Sequence, residues 1–134
     1  MPQAAFLTPC ILEHIRDRNL WKVRSPLTYY SAKLDKTITV PDGFVTNLAS
    51  IPRIAWIVIP TDDRHIIDAS VVHDYLYSGL DPQAAEFTRP HSDLVLREAC
   101  KVLGAPLWYR EAVYHAVRLF GGLAWRHDHA KLEK

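Results

Sequence analysis

One imidazole, one phenol and two carboxylates are spaced along this chain so that they could handle a proton together. His73-Asp74 is followed one helical turn later by Tyr77, and Asp93 lies on the next stretch of helical pattern. Ile66, Ala69, His73, Leu76 and Tyr77 share one side by the i, i+3, i+4, i+7 rule, and Asp93, Leu96, Cys100 and Leu103 repeat at the same spacing. A buried acid is costly unless it is hydrogen-bonded. If the two helices pack antiparallel, His73 and Asp93 can meet, and Tyr77 can donate its hydroxyl to the same carboxylate. A histidine oriented in this way has one ring nitrogen committed as a donor and the other available to take a proton from water. Asp74, about 100° further round the helix, points to a neighbouring sector. There it could bind a hard cation together with carbonyl oxygens of a loop such as the one after Gly43. A cation beside an activated water would stabilise a developing oxyanion. The same residues also suit a structural role, a buried polar network joining two helices.

The elements that must position these groups divide the chain in two. The first half reads as strands and turns. Leu20–Arg24 and Leu27–Ser31 flank Ser25-Pro26, a bent or hairpin connection, and Lys36–Val40 alternates polar with apolar residues as a half-buried strand does. Pro41-Asp42-Gly43 forces a turn, and Phe44–Arg53 has neither period and reads as an ordered loop leading into the apolar stretch Ile54–Ile59. Three helices are predicted next: about Arg64 to Tyr77, stopped by Ser78-Gly79; Pro90 to Gly104; and Pro106 to about Trp125, weakened at Gly121-Gly122. The connection from Ser78 to Arg89 is long enough to be a functional loop.

Composition narrows the class. The 134 residues are 49% hydrophobic and 23% charged, as in an ordinary globular domain, and the length suits one core. Lys+Arg 16 against Asp+Glu 15 leaves a formal net charge of +1, which argues against a dedicated nucleic-acid binder. No apolar run reaches the ~20 residues of a membrane span, and the start Met1–Leu7 lacks the basic residues of a signal peptide. Cys10 and Cys100 form no C-x-x-C pair, and Cys100 on its apolar stripe reads as a small core residue. We therefore expect one α+β domain over residues 1–134. A small antiparallel sheet from residues 1–60 packs on three helices within 64–125, and residues 126–134 form a charged tail.

The ordered motifs resemble a small phage and prophage family of uncharacterised function. Gly43-Phe44-Val45-Thr46-Asn47-Leu48-Ala49-Ser50-Ile51-Pro52-Arg53 is similar to its G-F-x-T-D-x-A-S-x-P-R signature, with Asn47 where the family usually has Asp. His73–Tyr77 matches H-D-x-L-Y, Arg89 and Asp93 match R-x-x-x-D, and Tyr114–Gly121 resembles the closing Y-x-x-V-R-x-F-G. More remotely, His73-Asp74-x-x-Tyr77 followed by Asp93 is similar to the helix pair of phospholipase A2 enzymes. That resemblance implies His73 as general base, Asp74 as a calcium ligand, and Asp93 with Tyr77 as the groups that orient the histidine. The glycine-rich calcium loop of those enzymes has no counterpart, since Gly43 stands alone.

Other candidates carry less. Asn47, Ser50 and Arg53 could line the site or recognise an anion, with Asn47 a possible cation ligand beside Asp74, or they could simply close a turn. Ser50 lacks a G-x-S-x-G context. His65, His91, His115, His127 and His129 form no zinc motif; calcium is the favoured cofactor, with a zinc site of His73, Asp74 and another histidine as the alternative. Trp108, Tyr109, Tyr114, Phe120 and Trp125 read mostly as packing surface, with an exposed subset as a partner or lipid contact. Two functions are expected. One is a phage-encoded, metal-assisted hydrolase in which His73 activates water on a lipid or envelope ester. The other is a non-catalytic virion, tail or assembly component that contacts other phage structural proteins. Both imply synthesis in the bacterial host cytoplasm, with residence in the virion where the protein is structural.

Overall fold

The computed structural model describes residues 2–16, 20–47 and 66–132. The expected loop residues Ser50 and Arg53, the apolar stretch Ile54–Ile59, His65 and the predicted helix start at Arg64 lie outside the described residues. Among the described residues, six strands, β1 (Ala5–Phe6), β2 (Leu12–Ile15), β3 (Leu20–Val23), β4 (Leu27–Ser31), β5 (Lys36–Val40) and β6 (Val45–Thr46), precede the helices. The helices are α1 (Ile67–Ser78), α2 (Pro82–Ala85), α3 (Arg89–Val102), α4 (Leu107–Phe120) and α5 (Gly122–Leu132). The α+β class expected from the pattern is the class observed.

The sheet is in fact two antiparallel three-stranded sheets, β1-β4-β5 and β2-β3-β6. Ser25-Pro26 is accordingly a bend that carries the chain from one sheet to the other rather than a hairpin, because β3 pairs with β2 and β6 while β4 pairs with β1 and β5. Proline lacks the N–H a ladder needs, which makes it a natural exit from a sheet. In β4 and β5 the alternation holds: Leu27, Tyr29 and Ser31 are buried, as are Ile38 and Val40. Leu27, Tyr29, Ile38 and Val40 join Val71, Val72, Leu76, Leu96 and Val113 in one core cluster. Gly43 turns the chain at φ +93°, a conformation that costs glycine little, and delivers Val45–Thr46 to pair with Lys22 and Trp21.

The predicted functional loop between Ser78 and Arg89 is instead a staple. Asp81 caps α2 through the Ala84 amide at 2.9 Å and accepts a 2.6 Å hydrogen bond from the Tyr75 hydroxyl. Gln83 then binds both backbone groups of Thr39, accepting from its N–H at 2.9 Å and donating to its carbonyl at 2.8 Å. β5 is the outer strand of its sheet, so Gln83 satisfies groups that the ladder leaves open.

The third predicted helix breaks into α4 and α5 at Gly121, and the residues expected to be a solvated tail continue as helix to Leu132. Trp125 explains the difference. Its ring packs edge-on against Tyr77 of α1 at 5.2 Å, which anchors α5 to the body of the fold, and meets His129 of its own helix at 4.1 Å.

Candidate functional site

α1 presents one face to the interior without exception: Ala69, Val72, His73, Leu76 and Tyr77 have no measurable solvent exposure. The glycine stop is as the sequence suggests, with Gly79 left-handed at φ 58°. α3 starts at Thr88, whose side chain accepts from the His91 amide, and Pro90 occupies its first turn. This start places Asp93 against the C-terminal half of α1. His73 Nε2 donates to Asp93 Oδ1 at 2.8 Å, and the Tyr77 hydroxyl donates to the same oxygen at 2.6 Å. The rings of His73 and Tyr77 lie 4.2 Å apart. The predicted trio therefore meets inside the fold, and both His73 and Asp93 are 0% exposed.

A fourth member was missed by residue reasoning. Arg118, on α4, donates from Nη1 to the other oxygen of Asp93 at 2.7 Å. Its side chain is 31% exposed, so the guanidinium reaches the carboxylate from the solvent side. The signal for it lay in the Tyr114–Gly121 stretch, where Arg118 matches the arginine of the closing Y-x-x-V-R-x-F-G motif but was given no role. Burial alone would raise the Asp93 pKa, but the hydrogen bonds from His73, Tyr77 and Arg118 overcome that and hold it below the ordinary aspartate value. Burial and the bond to Asp93 push the Tyr77 phenol well up.

Arg89 acts on the Tyr77 hydroxyl at the edge of this cluster and has a second task. Its Nη2 donates to the carbonyls of Val117 and Arg118, each at 2.8 Å, at the end of α4, where the Val117 carbonyl also accepts from the Gly121 amide. It thereby fixes the turn that aims Arg118. Gly121 belongs to the same corner: a Cβ there would sit 2.8 Å from the Tyr77 hydroxyl and 2.5 Å from the Val117 carbonyl oxygen.

Asp74 faces the neighbouring sector, as its position on the helix requires, and the loop after Gly43 comes to it. The Thr46 hydroxyl donates to Asp74 Oδ2. Asn47 follows Thr46 in the chain and is exposed. Among the described residues no three His, Cys, Asp or Glu side chains gather as a metal site. Of the other histidines, His91 is exposed, His115 pairs at 3.5 Å with Glu111, and His127 lies at the surface beside Asp128. Cys100 is buried in the core, as expected.

A family model described as a protein of unknown function, DUF1353, matches residues 21–117, well over half of the chain. The chain belongs to the DUF1353 family. No curated protein and no solved structure matches it. In this DUF1353 member the matched region contains His73, Asp74, Tyr77, Arg89 and Asp93, whereas Arg118 falls just past its end. No helix among the described residues is long and apolar enough to cross a membrane.

The Asp93 charge gives this domain an acid-labile lock. A carboxylate whose folded pKa lies below its unfolded value of about 3.9 contributes stability above that value. The contribution is lost as pH falls through the folded pKa. Urea midpoints are therefore expected to drop between pH 5 and pH 3, and Asp93→Asn to drop distinctly less across that interval because it has no charge to lose. Equal slopes for the two proteins would place the acid sensitivity elsewhere.

Proposed function

We propose that this DUF1353 member is a non-catalytic phage or prophage component, acting in the virion, at its tail, or in its assembly. In this reading the His73–Asp93–Tyr77–Arg118 cluster is a structural lock. One observation carries the proposal: the imidazole and the carboxylate have no solvent exposure, and both carboxylate oxygens are occupied by three donors. A general base must come within hydrogen-bond reach of the proton it removes, and a fully enclosed His73 offers a substrate no such approach. The phage context rests on the resemblance of the Gly43–Arg53, His73–Tyr77 and Tyr114–Gly121 motifs. Leu119, Phe120 and Leu123 stand exposed around the α4–α5 corner and suit contact with another structural protein.

A second reading is favoured by one specific arrangement. His73 is held through Nε2 by Asp93 with Tyr77 on the same oxygen, and Asp74 meets the Thr46 loop, which is the disposition that similarity to phospholipase A2 implies. On that reading the protein is a calcium-assisted hydrolase of a lipid or envelope ester, and the fold must open to admit substrate. Vesicles of phosphatidylglycerol and phosphatidylethanolamine separate the two. We expect no fatty-acid release above buffer with calcium or zinc, and a lowered melting temperature for His73→Ala. Calcium-dependent release by the wild type, abolished in a folded His73→Gln variant, would overturn the structural reading.

A further inference from the structure

Away from the Asp93 cluster, the C-terminal half of α3, the start of α4, the β4–β5 turn and Pro2–Ala4 line a cavity of about 880 Å³. That volume is the size of a small-molecule site. Its ionisable lining is unbalanced: Lys33, Arg97, Lys101 and Arg110 face two carboxylates, Glu98 and Glu111.

Both carboxylates are already committed. Glu98 accepts the Tyr29 hydroxyl at 2.7 Å and the Lys33 amide at 2.9 Å, which ties β4 and its turn to α3. Glu111 pairs with Arg97, and the Arg97 guanidinium also lies 4.9 Å over the Tyr114 ring. Lys33, Lys101 and Arg110 enter no ion pair among the described residues, and the one side-chain hydrogen bond of Arg110 there is a long 3.4 Å contact to the Ala105 carbonyl. Three unneutralised cations thus border one concavity in a protein whose formal net charge is only +1. Converging positive charge in a walled cleft attracts anions more strongly than the same charges spread over a surface. The first turn of α4 adds its amide dipoles to the same rim, since its cap, Pro106, supplies no side-chain acceptor. Val102 and Leu107 provide an apolar wall beside the cations.

We infer that this cavity binds a small organic phosphate: the phosphates meet Lys33, Lys101 and Arg110, and the organic part rests on Val102 and Leu107. A concave site of this volume suits a nucleotide-sized anion rather than a duplex. The site is independent of the chemistry at His73.

Isothermal titration of the full chain with ATP and with inorganic pyrophosphate tests the inference. Expected is one saturable site that weakens as salt is raised. The affinity should fall at least tenfold in the double variant Lys101→Gln, Arg110→Gln and stay at the wild-type value in Arg24→Gln, an exposed cation outside the cavity. Circular dichroism verifies that the double variant is folded, and Lys33→Glu at an exposed turn position serves as the second variant if it is not. Absence of saturable binding with both probes overturns the inference. So does binding that the variants leave unchanged, or binding of a single-stranded oligonucleotide alone.

Discussion

Asp93→Ala is expected to destabilise this protein by about 3–5 kcal/mol, the largest effect of any single substitution in the polar cluster. The cost does not come from a stranded arginine, because Arg118 is 31% exposed and can return its charge to water. It comes from His73 and Tyr77, which have no exposure and lose the acceptor of bonds at 2.8 and 2.6 Å. Each orphaned buried donor costs ~1–3 kcal/mol, and the space left by the carboxylate adds to that. For a domain of this size the melting temperature falls by roughly 10–20 °C, which thermal denaturation followed by circular dichroism measures. Asp93→Asn should lose less, since its amide oxygen can still accept from both groups. An Asp93→Ala protein that melts with the wild type would show that the cluster holds nothing together.

Gly121→Ala is a sharper test, because local preference and packing predict opposite signs. Gly121 has φ −70° and ψ −12°, an ordinary right-handed conformation. Alanine at such a position normally stabilises by ~0.4–1 kcal/mol through the unfolded chain. Here the added methyl would lie 2.5 Å from the Val117 carbonyl oxygen and 2.8 Å from a Tyr77 hydroxyl that cannot retreat. Asp93 holds that hydroxyl from one side, while Trp125 and His73 pack on its ring. Overpacking of this kind costs ~1–3 kcal/mol. A net loss of roughly 1–2 kcal/mol is therefore expected in urea denaturation. The penalty should shrink in part in a Tyr77→Phe background, where one of the two contacted oxygens is gone and the Val117 carbonyl stays. A stabilised Gly121→Ala protein would mean that the α4–α5 corner is looser than its packing implies.

The helical half was readable because its signals are local. A period of 3.6 placed His73 and Tyr77 on the stripe of Ile66, Ala69 and Leu76, and the same period turned Asp93 inward with Leu96 and Cys100. An acid on an apolar stripe must find donors, so a partnership of His73 and Asp93 could be argued before any coordinates. The strands were less legible. Ala5–Phe6 and Val45–Thr46 are two residues long and Leu12–Ile15 is four, too short for alternation to emerge, and their pairing is decided by long-range contact. α5 was misread for a related reason. Its sequence is charged, and what orders it is the packing of Trp125 on Tyr77, a residue nearly fifty positions away.

Residue order was thus enough to place imidazole, phenol and carboxylate on facing surfaces, since helical geometry converts spacing into direction. It could not reveal Arg118 as the fourth partner, nor that Arg89 would spend its guanidinium on the end of α4. It also left open whether the cluster would be open or enclosed. Those outcomes depend on how α4 crosses α3 and on what closes over His73. Such arrangements arise from the sum of many distant contacts, which no local pattern encodes.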